Sequence, residues 1–332
     1  VANSENGISY QLRIGTTLVG SPVTGNGGTI NLPTGNLTSN TTFNVLATNA
    51  NCSVQLTQNA TVNVEQTPVN PTLASKTPNQ ATVCQGSQVS ATFNAGSGGT
   101  TDEYRYSLDN GGNWNTYNPG DNLTAGTQTV IIQGRRNAAV CTPGAWTTLA
   151  TWNVELTPVA PVLTKNPNTT AVCDGVNVSA SLNTAGSGGS NTSTYEYRTK
   201  VGGNWGSWQT YTFGYNISTT GLEEVEIRAT QNAAVCSPAT NTYSWTVNPL
   251  PTASISGTTP ACESTLLTAS TNASSPSYQW KKDGTNVGTN SSTYTATASG
   301  SYTVVVTDGV TGCSKESDAL SVTIDAQPTV YT

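Results

Sequence analysis

The stretch Asn137-Ala-Ala-Val-Cys-Thr-Pro143 returns almost unchanged as Asn232-Ala-Ala-Val-Cys-Ser-Pro238. The residues around the two copies repeat as well, since Gly112-Asn-Trp114 matches Gly203-Asn-Trp205. Self-similarity at a fixed period is the signature of a repeat architecture, in which each unit is one similar structure. The sequence therefore predicts a tandem array of related domains.

The cysteines recur at a similar interval. The spacing from Cys84 to Cys173 is 89 residues, and the spacing from Cys173 to Cys262 is 89 again. Each full repeat thus contains two cysteines, an early one near its start and a late one near its end. Regular pairs without histidine or Cys-x-x-Cys spacing indicate disulfides formed in an oxidising compartment rather than zinc ligands. The early cysteines are Cys84, Cys173 and Cys262, and the late ones are Cys52, Cys141, Cys236 and Cys313.

Proline-rich joints mark the predicted boundaries, because proline stiffens a linker and removes a strand donor. The first joint is Glu65-Gln-Thr-Pro68, and it recurs at Glu155-Leu-Thr-Pro158 and Asn248-Pro-Leu-Pro251. Repeat 1 has a late cysteine but no early one, and methionine is absent, so we expect a piece of a longer protein whose first domain lacks its front. The predicted domains are repeat 1 (1–66), repeat 2 (67–156), repeat 3 (157–250), repeat 4 (251–327) and the start of a further repeat (328–332).

Short alternating segments separated by Gly, Asn and Pro turns predict strands, and no segment has a useful helical period. Asp109-Asn-Gly-Gly112 is a hairpin signal. This pattern is typical of antiparallel β-sandwiches. Predicted strands include 8–14, 29–32, 42–47, 60–64, 89–93, 103–108, 129–133 and 150–155.

Repeat 4 carries the most informative motifs. Tyr278-Gln-Trp280 resembles the third strand of an immunoglobulin-type domain, with Trp280 as its core tryptophan. Gly300-Ser-Tyr302-Thr-Val304 resembles the tyrosine corner of that family. The family expects a cysteine where this chain has Val304, so the cysteines here lie in loops. The resemblance implies an all-β tandem array of immunoglobulin-like antiparallel β-sandwich domains.

Repeat 4 resembles a known repeat type in four features taken together. These are an early cysteine, a strand that contains a tryptophan, a strand with the pattern Gly-x-Tyr-Thr-Val, and the turn Gly312-Cys-Ser314. This repeat is similar to the immunoglobulin-like and fibronectin-like repeats of very large secreted surface proteins of Bacteroidota, among them gliding-motility adhesins exported by the type IX secretion system. The resemblance covers essentially the whole chain. It implies a secreted, cell-surface location.

Composition excludes several function classes. Charged residues make up only 9% of the chain and the net charge is −6, which gives no basic footprint for nucleic acid. Without histidine a Ser-His-Asp triad is impossible. The neighbours Asp102 and Glu103 point to opposite faces of a strand, so we expect solvated surface, and Arg135-Arg136 is interpreted as a loop decoration. No cofactor, metal site or membrane insertion is predicted.

Five aromatic residues are candidates for binding. Aromatic rings exposed in loops stack on sugar rings, whereas the alternative is that they cover the sandwich edge or pack beneath the loop. The candidate glycan-contact residues are Trp114, Tyr117, Trp205, Trp208 and Tyr211.

The cysteine pairing leaves two schemes open. Pairing within repeats gives Cys84–Cys141, Cys173–Cys236 and Cys262–Cys313. In immunoglobulin topology, however, the early and late cysteines lie at opposite ends of one domain, beyond the roughly 7 Å Cα limit of a disulfide. Pairing between neighbouring repeats gives Cys84–Cys236 and Cys173–Cys313, and it leaves the remaining three cysteines for other domains.

These features predict a non-enzymatic stalk segment of a large secreted adhesin or filament, which projects a distal binding region for surface attachment or gliding. Its expected partners are neighbouring repeats, surface polysaccharide and other cell-surface proteins. An alternative is a set of carbohydrate-binding accessory repeats of a secreted polysaccharide-degrading enzyme. A third hypothesis is a lattice or sheath subunit.

Overall fold

The computed structural model describes residues 1–328, so residues 329–332 of the predicted further repeat (328–332) lie outside them. The described chain is all-β and contains no helix, which confirms the predicted fold class. Chain contacts divide it into two compact units, Val1–Leu156 and Thr157 onward. The boundaries near Gln66 and Leu250 stay predictions.

Repeat 1 forms one five-stranded antiparallel sheet. Strands β2, β1, β3 and β4 are neighbours in that order, and β5 pairs with the start of β3; they are β1 (Ser9–Ile14), β2 (Thr17–Thr24), β3 (Thr41–Thr48), β4 (Ser53–Gln55) and β5 (Ala60–Val62). The expected strand over 29–32 does not form. Instead Ile30 exchanges two backbone hydrogen bonds with Val1, at 2.9 Å each.

Repeat 2 is a two-sheet sandwich. One sheet has the order β10-β9-β12-β13-β7 and the other has the order β11-β8-β6. Its strands are β6 (Thr72–Thr77), β7 (Thr82–Cys84), β8 (Gln88–Asn94), β9 (Asp102–Ser107), β10 (Asn115–Thr116), β11 (Leu123–Thr124), β12 (Val130–Arg136) and β13 (Thr147–Glu155).

Repeat 3 has the same two sheets, with the orders β14-β16-β20 and β15-β22-β21-β17-β18, and β19 also pairs with β17. Its strands are β14 (Val162–Asn166), β15 (Ala171–Cys173), β16 (Asn177–Thr184), β17 (Ser193–Val201), β18 (Asn204–Trp205), β19 (Gln209–Thr210), β20 (Ile217–Ser218), β21 (Glu224–Gln231) and β22 (Ala239–Asn248).

Repeat 4 contains a β23-β25-β28 sheet, a β27-β26-β29-β30 sheet to which β31 adds, and the pair β24-β32. Its strands are β23 (Ser254–Ser256), β24 (Ala261–Cys262), β25 (Thr265–Ser270), β26 (Ser277–Lys282), β27 (Thr285–Val287), β28 (Thr293–Ala296), β29 (Gly300–Thr307), β30 (Ser314–Glu316), β31 (Leu320–Val322) and β32 (Ile324–Asp325).

A short parallel strand precedes the second long strand in each of repeats 2 to 4. β7 runs parallel to β13, β15 runs parallel to β22, and β24 runs parallel to β32. Each of these strands ends at the early cysteine of its repeat. In repeats 2 and 3 the early cysteine therefore lies at the edge of the sheet, opposite the residue at which the joint begins, Glu155 or Asn248.

Each repeat has its own hydrophobic core. Period-2 alternation along the strands directs every second side chain inward, as the buried positions of β21 show. The cores of repeats 2 and 3 each centre on a tryptophan of the last strand, Trp152 and Trp245, which are fully buried. Their indole nitrogens donate to the carbonyl oxygens of Pro78 and Pro167, at 2.9 Å in both cases.

In repeat 4 the buried tryptophan is Trp280 on β26, as the immunoglobulin resemblance implies. Its indole nitrogen donates to the Ser291 carbonyl oxygen at 2.9 Å. Tyr302 on β29 is also buried, and its hydroxyl donates to the Ala298 carbonyl oxygen at 2.8 Å. This local bond back along the chain is the hydrogen bond of a tyrosine corner.

Tyr302→Phe removes only that hydrogen bond and keeps the ring. We expect the free energy of unfolding of repeat 4 to fall by about 1 kcal/mol, because a buried neutral hydrogen bond has a small net value. Chemical denaturation of the full chain, with the transition of repeat 4 followed separately, measures the loss. A change above about 3 kcal/mol would contradict this account, since it would mean that the hydroxyl does more than close the corner.

Candidate functional site

Tryptophan and arginine side chains alternate on the outer face of the larger sheet of repeat 2. The guanidinium of Arg105 lies 4.2 Å from the ring centroid of Trp114 and 4.2 Å from that of Trp146. Arg135 lies 4.7 Å from Trp146. Because Tyr104 and Tyr106 pack against the core, Arg105 between them faces outward. We call these four residues the Trp–Arg face of repeat 2.

Repeat 3 builds an equivalent Trp–Arg face from different positions. Arg198 lies 4.3 Å from the ring of Trp205 and 4.5 Å from the ring of Trp208, and Arg228 lies 4.1 Å from Trp208. The second tryptophan follows the first by three residues here, whereas in repeat 2 it comes from the segment before the last strand. A cation over an aromatic face stabilises a partly exposed site by about 0.5–2 kcal/mol.

These contacts bear on whether the candidate tryptophans can stack on sugar rings. The faces of Trp146 and Trp208 each have two guanidinium groups against them, so a sugar ring has to displace a cation to stack there. The geometry therefore favours a packing role for Trp208. Trp205 also has two cations over its ring, Arg198 at 4.3 Å and the Lys200 amine at 5.8 Å. Trp114, which is partly exposed and has Arg105 against its ring, stays a candidate for a glycan contact.

Of the two alternatives for Tyr117 and Tyr211, the structure shows packing beneath the loop, so these two rings are not available as glycan contacts. Both rings are buried, at 2% and 3% exposure. The hydroxyl of Tyr117 accepts from the Ala91 amide at 2.8 Å and donates to backbone oxygen, and Tyr211 does the same at Ala180. Both rings point inward, and their hydroxyls join the neighbouring turn to β8 in repeat 2 and to β16 in repeat 3.

The acidic and basic residues of this region are paired rather than freely solvated. Arg135 contacts Glu103 at 2.7 Å, and Arg136 contacts Asp102 at 3.2 Å with both side chains more than four-fifths buried. Both arginines belong to β12, so the interpretation of Arg135-Arg136 as a loop decoration is wrong. These pairs join neighbouring strands, and no free carboxylate pair for acid–base chemistry results here.

A shallow groove of 640 Å³ borders the Trp–Arg face of repeat 2. Its lining includes Glu103, Tyr104, Arg105, Trp114 and Pro119. An aromatic ring beside a guanidinium and amide groups is the kind of surface that binds polar rings. This groove is therefore a candidate ligand site.

The joint between repeats 1 and 2 is fixed by one carboxylate. The two oxygens of Glu65 accept hydrogen bonds from the consecutive backbone amides of Ala139, Val140 and Cys141, at 2.7, 2.6 and 2.6 Å. These amides belong to the repeated stretch 137–143 that precedes the last strand of repeat 2. The same bonds, led by the one from Ala139, hold the pKa of Glu65 below its ordinary value.

This joint has a testable pH dependence. Because the folded pKa of Glu65 is lowered, its contribution to the joint is present above the ordinary carboxyl pKa of 4.5 and is lost as pH falls through the lowered value. We expect the amide proton shifts of Ala139 and Val140, followed by nuclear magnetic resonance, to titrate with a midpoint below 4.5. Glu65→Gln should abolish the titration, and a midpoint above 4.5 would show that the carboxylate does not hold the loop.

The joint between repeats 3 and 4 is covalent. Cys173, at the end of β15, forms a disulfide with Cys313, which lies between β29 and β30, with the two Cα atoms 5.6 Å apart. Asp308 shapes the loop that carries Cys313, because its carboxylate accepts from the amides of Thr311 and Ser274. These bonds, with the one from Thr311 the largest cause, hold the pKa of Asp308 below its ordinary value.

The pairing of cysteines within repeats is wrong. Cys173 and Cys313 bond to each other, which leaves no Cys173–Cys236 or Cys262–Cys313 bond, and Cys141 is a free thiol, which excludes Cys84–Cys141. The Cys173–Cys313 bond is the one that the scheme between neighbouring repeats gives. Its second bond, Cys84–Cys236, stays a prediction. Cys52 and Cys262 are exposed free thiols.

Two kinds of feature are not found within residues 1–328. In that part of the chain, no three His, Cys, Asp or Glu side chains lie together as metal ligands would. Nor do these residues form a helix long and apolar enough to cross a membrane.

No protein-family model matches the chain, and no curated protein matches it. Similar solved structures are tandem-domain proteins. The four immunoglobulin domains of Sidekick-1 match with 9% identity and a TM-score of 0.28, over 98% of this chain and 92% of that one. The D1–D4 ectodomain fragment of ICAM-5 matches with 12% identity and a TM-score of 0.40, over 86% and 83%. A 1.5-MDa bacterial ice-binding adhesin matches with 10% identity and a TM-score of 0.30, over 80% and 100%.

Proposed function

We propose that this chain is a non-enzymatic, repetitive stalk segment of a large secreted cell-surface adhesin or filament. The observation that carries the proposal is the disulfide from Cys173 to Cys313, which joins two successive repeats across their linker. A disulfide within one domain stabilises only that domain, whereas one between domains restrains their relative motion. Restraint of this kind serves a protein that holds a distant binding region away from its anchor.

Other features support the same function. The Glu65 carboxylate restrains the first joint without a covalent bond. The Trp–Arg faces cover the outer sheet surface with stacked, ion-paired side chains that need no ligand to be satisfied. Low charge and abundant Thr, Asn and Ser are suited to an exposed surface in an oxidising environment. The motif resemblance favours a gliding-motility adhesin of the type IX secretion class.

A domain exchange in the parent protein tests the proposal. Residues 67–250, two whole repeats, are replaced by two unrelated immunoglobulin-like repeats that bind no glycan. A stalk predicts that cell attachment falls when the segment is deleted and returns when the unrelated repeats are inserted. Failure of the unrelated repeats to restore attachment, while the protein is displayed at equal level, would contradict a spacer function.

The second candidate function is carbohydrate binding as an accessory module of a secreted polysaccharide-degrading enzyme. The groove beside Trp114 is the observation that favours it. A glycan array probed with the intact chain and with Trp114→Ala separates the two functions. Binding that Trp114→Ala abolishes would support the accessory module, and no binding on the array supports the stalk.

A further inference from the structure

The ion pairing of the Trp–Arg face in repeat 2 has one exception, which is Arg105. Both arginines of β12 contact carboxylates, those of Glu103 and Asp102. Arg105, on the neighbouring strand β9, has no carboxylate partner among residues 1–328. Its Nε and Nη2 atoms donate instead to the neutral Oε1 of Gln133, at 3.0 and 2.7 Å. The charged residues that line the groove of repeat 2 therefore leave one positive charge without a counter-charge.

Arg105 also has hydrogen-bond donors left for a ligand. A guanidinium carries five N–H groups. Gln133 occupies the edge that Nε and Nη2 share, so the end formed by Nη1 and Nη2 has N–H groups that no described residue accepts. That end of a guanidinium can bind both oxygens of one carboxylate. The amide of Gln133 donates to the Thr148 hydroxyl at 3.3 Å, which orients its oxygen toward Arg105.

The electrostatics of this position favour an anion. Burial, and secondarily the charge of Arg135, hold the pKa of Arg105 below its ordinary value. A guanidinium with a carboxylate partner has its charged form stabilised instead. A carboxylate bound beside Arg105 would supply the counter-charge that the chain itself does not place there.

Trp114 provides a flat apolar surface beside this cation. It lies at the end of the row in which Arg135, Trp146 and Arg105 alternate, and it is partly exposed. Trp146 contacts two guanidinium groups, whereas among the described residues only Arg105 has its guanidinium against the ring of Trp114. Trp114 also lines the groove. It is therefore the tryptophan of this face on which a ligand ring can stack without displacing two cations.

The hairpin that carries Trp114 is held by one carboxylate. Asp109 accepts a hydrogen bond from the Ser107 hydroxyl at 2.6 Å and another from the Asn113 backbone amide at 2.8 Å. These bonds, led by the one from Ser107, lower the pKa of Asp109 to about 2. A side chain whose backbone is fixed before binding loses less conformational freedom when a ligand stacks on it.

Repeat 3 has a groove at the same place, with a different charge pattern. Its volume is 340 Å³. Glu196 lies opposite Thr210 there, as Arg105 lies opposite Thr116 in repeat 2. The Glu196 carboxylate contacts Arg228 at 2.8 Å, so its charge is balanced within the repeat. Repeat 3 is therefore an internal control for the groove of repeat 2.

We infer that the groove of repeat 2 binds a uronic acid residue of an acidic glycan, with the sugar ring stacked on Trp114 and its carboxylate bound by Arg105. Ligand sites combine aromatic surface with a few polar groups that set specificity. A uronic acid carries a face of C–H groups and a carboxylate on one ring, whereas an acidic peptide has the carboxylate without the ring. The inference rests on the carbohydrate-binding function given above as the second candidate, and it names the class of sugar.

The test titrates the full chain with trigalacturonate and follows the indole N–H signal of Trp114 by nuclear magnetic resonance. The matched ligand is the fully methyl-esterified trisaccharide, which keeps the rings and removes the charges. We expect the acid to bind about tenfold or more tighter than the ester, because the ester cannot form a charge-assisted bond to Arg105. The indole signal of Trp205, in repeat 3, should stay unchanged.

Arg105→Gln should lower the affinity for trigalacturonate about tenfold and change the affinity for the ester by less than about twofold. The matched control is Arg228→Gln, which removes a stacked arginine from the Trp–Arg face of repeat 3 and should leave both affinities unchanged. The comparison of acid with ester uses the unaltered chain, so it stays decisive if Arg105→Gln fails to fold.

Equal affinity for acid and ester at Trp114 would overturn the inference and leave carbohydrate binding in place. A Trp114 signal that neither ligand shifts would overturn the inference, and the glycan array would then decide separately whether the chain binds carbohydrate. A tetraglutamate peptide that binds at Trp114 as tightly as trigalacturonate would also overturn it, since charge alone would then explain the binding.

Discussion

Replacing Trp280 with alanine should lower the free energy of unfolding of repeat 4 by about 3–5 kcal/mol, the range for removing a large aromatic side chain from a packed core. The ring is fully buried on β26, and it lies 5.8 Å from the ring of Tyr294. The substitution leaves a cavity and also leaves the Ser291 carbonyl oxygen without its indole donor. Urea unfolding followed by circular dichroism measures the loss.

Trp205→Ala is the matched control, because it removes the same side chain from a partly exposed position on the Trp–Arg face. We expect a loss of about 1 kcal/mol there, since only a half-exposed cation–π contact is removed. Equal losses for the two substitutions would contradict the assignment of Trp280 to the core. A change below about 0.5 kcal/mol for Trp280→Ala would contradict the immunoglobulin-like alignment itself.

The second large effect is expected at the covalent joint. Cys173→Ser combined with Cys313→Ser removes a cross-link between residues 140 apart in sequence. The stability of repeats 3 and 4 should fall by roughly 2–5 kcal/mol, because the cross-link restricts the unfolded chain. Their unfolding transitions, measured by calorimetry, should also separate in temperature once the joint is no longer covalent.

The control for this pair is Cys52→Ser combined with Cys262→Ser. Both thiols are free and exposed, so the calorimetric profile should change by less than about 0.5 kcal/mol. If the two double variants behave alike, the disulfide does not couple the repeats. If reduction of the wild-type chain reproduces the effect of Cys173→Ser with Cys313→Ser, the coupling is covalent.

Trp280 and Tyr302 could be predicted because their local motifs depend on short spacings. An aromatic residue flanked by alternating polar residues identifies a core strand, and a Gly-x-Tyr-Thr-Val segment identifies the corner. The buried tryptophans of repeats 2 and 3 could have been found in the same way. Trp152 and Trp245 each lie in an alternating segment just before a joint. The repeated Gly-Asn-Trp motif instead directed attention to Trp114 and Trp205, as candidates for glycan binding.

Long-range features could not be predicted in this way. Glu65 binds amides more than 70 residues further along the chain, and no local pattern marks a carboxylate for that role. For Tyr117, whose neighbours favour turns, local sequence left a glycan contact and packing beneath the loop both open, and the structure shows that its ring and hydroxyl complete the core. The stacking of Arg105 between Trp114 and Trp146 also depends on which strands are neighbours in the sheet, and local sequence patterns do not determine that order.

The cysteine pairing is an intermediate case. Both pairing schemes agree with the periodicity, because each repeat supplies one early and one late cysteine. The choice depends on direction and position: β15 runs parallel to β22 and ends opposite Asn248, which brings Cys173 to the joint with the following repeat. Topology, rather than composition or spacing, therefore decides which sulfur atoms can meet.

The central claim, that covalent bonds cross the joints between repeats, is tested most directly by peptide mapping of the non-reduced chain. The thiols are first blocked at acidic pH, and proteolytic fragments are then identified by mass spectrometry. This account predicts a linked fragment pair that contains Cys173 and Cys313, together with blocked Cys52, Cys141 and Cys262. A linked pair that contains Cys173 and Cys236, or Cys262 and Cys313, would contradict it.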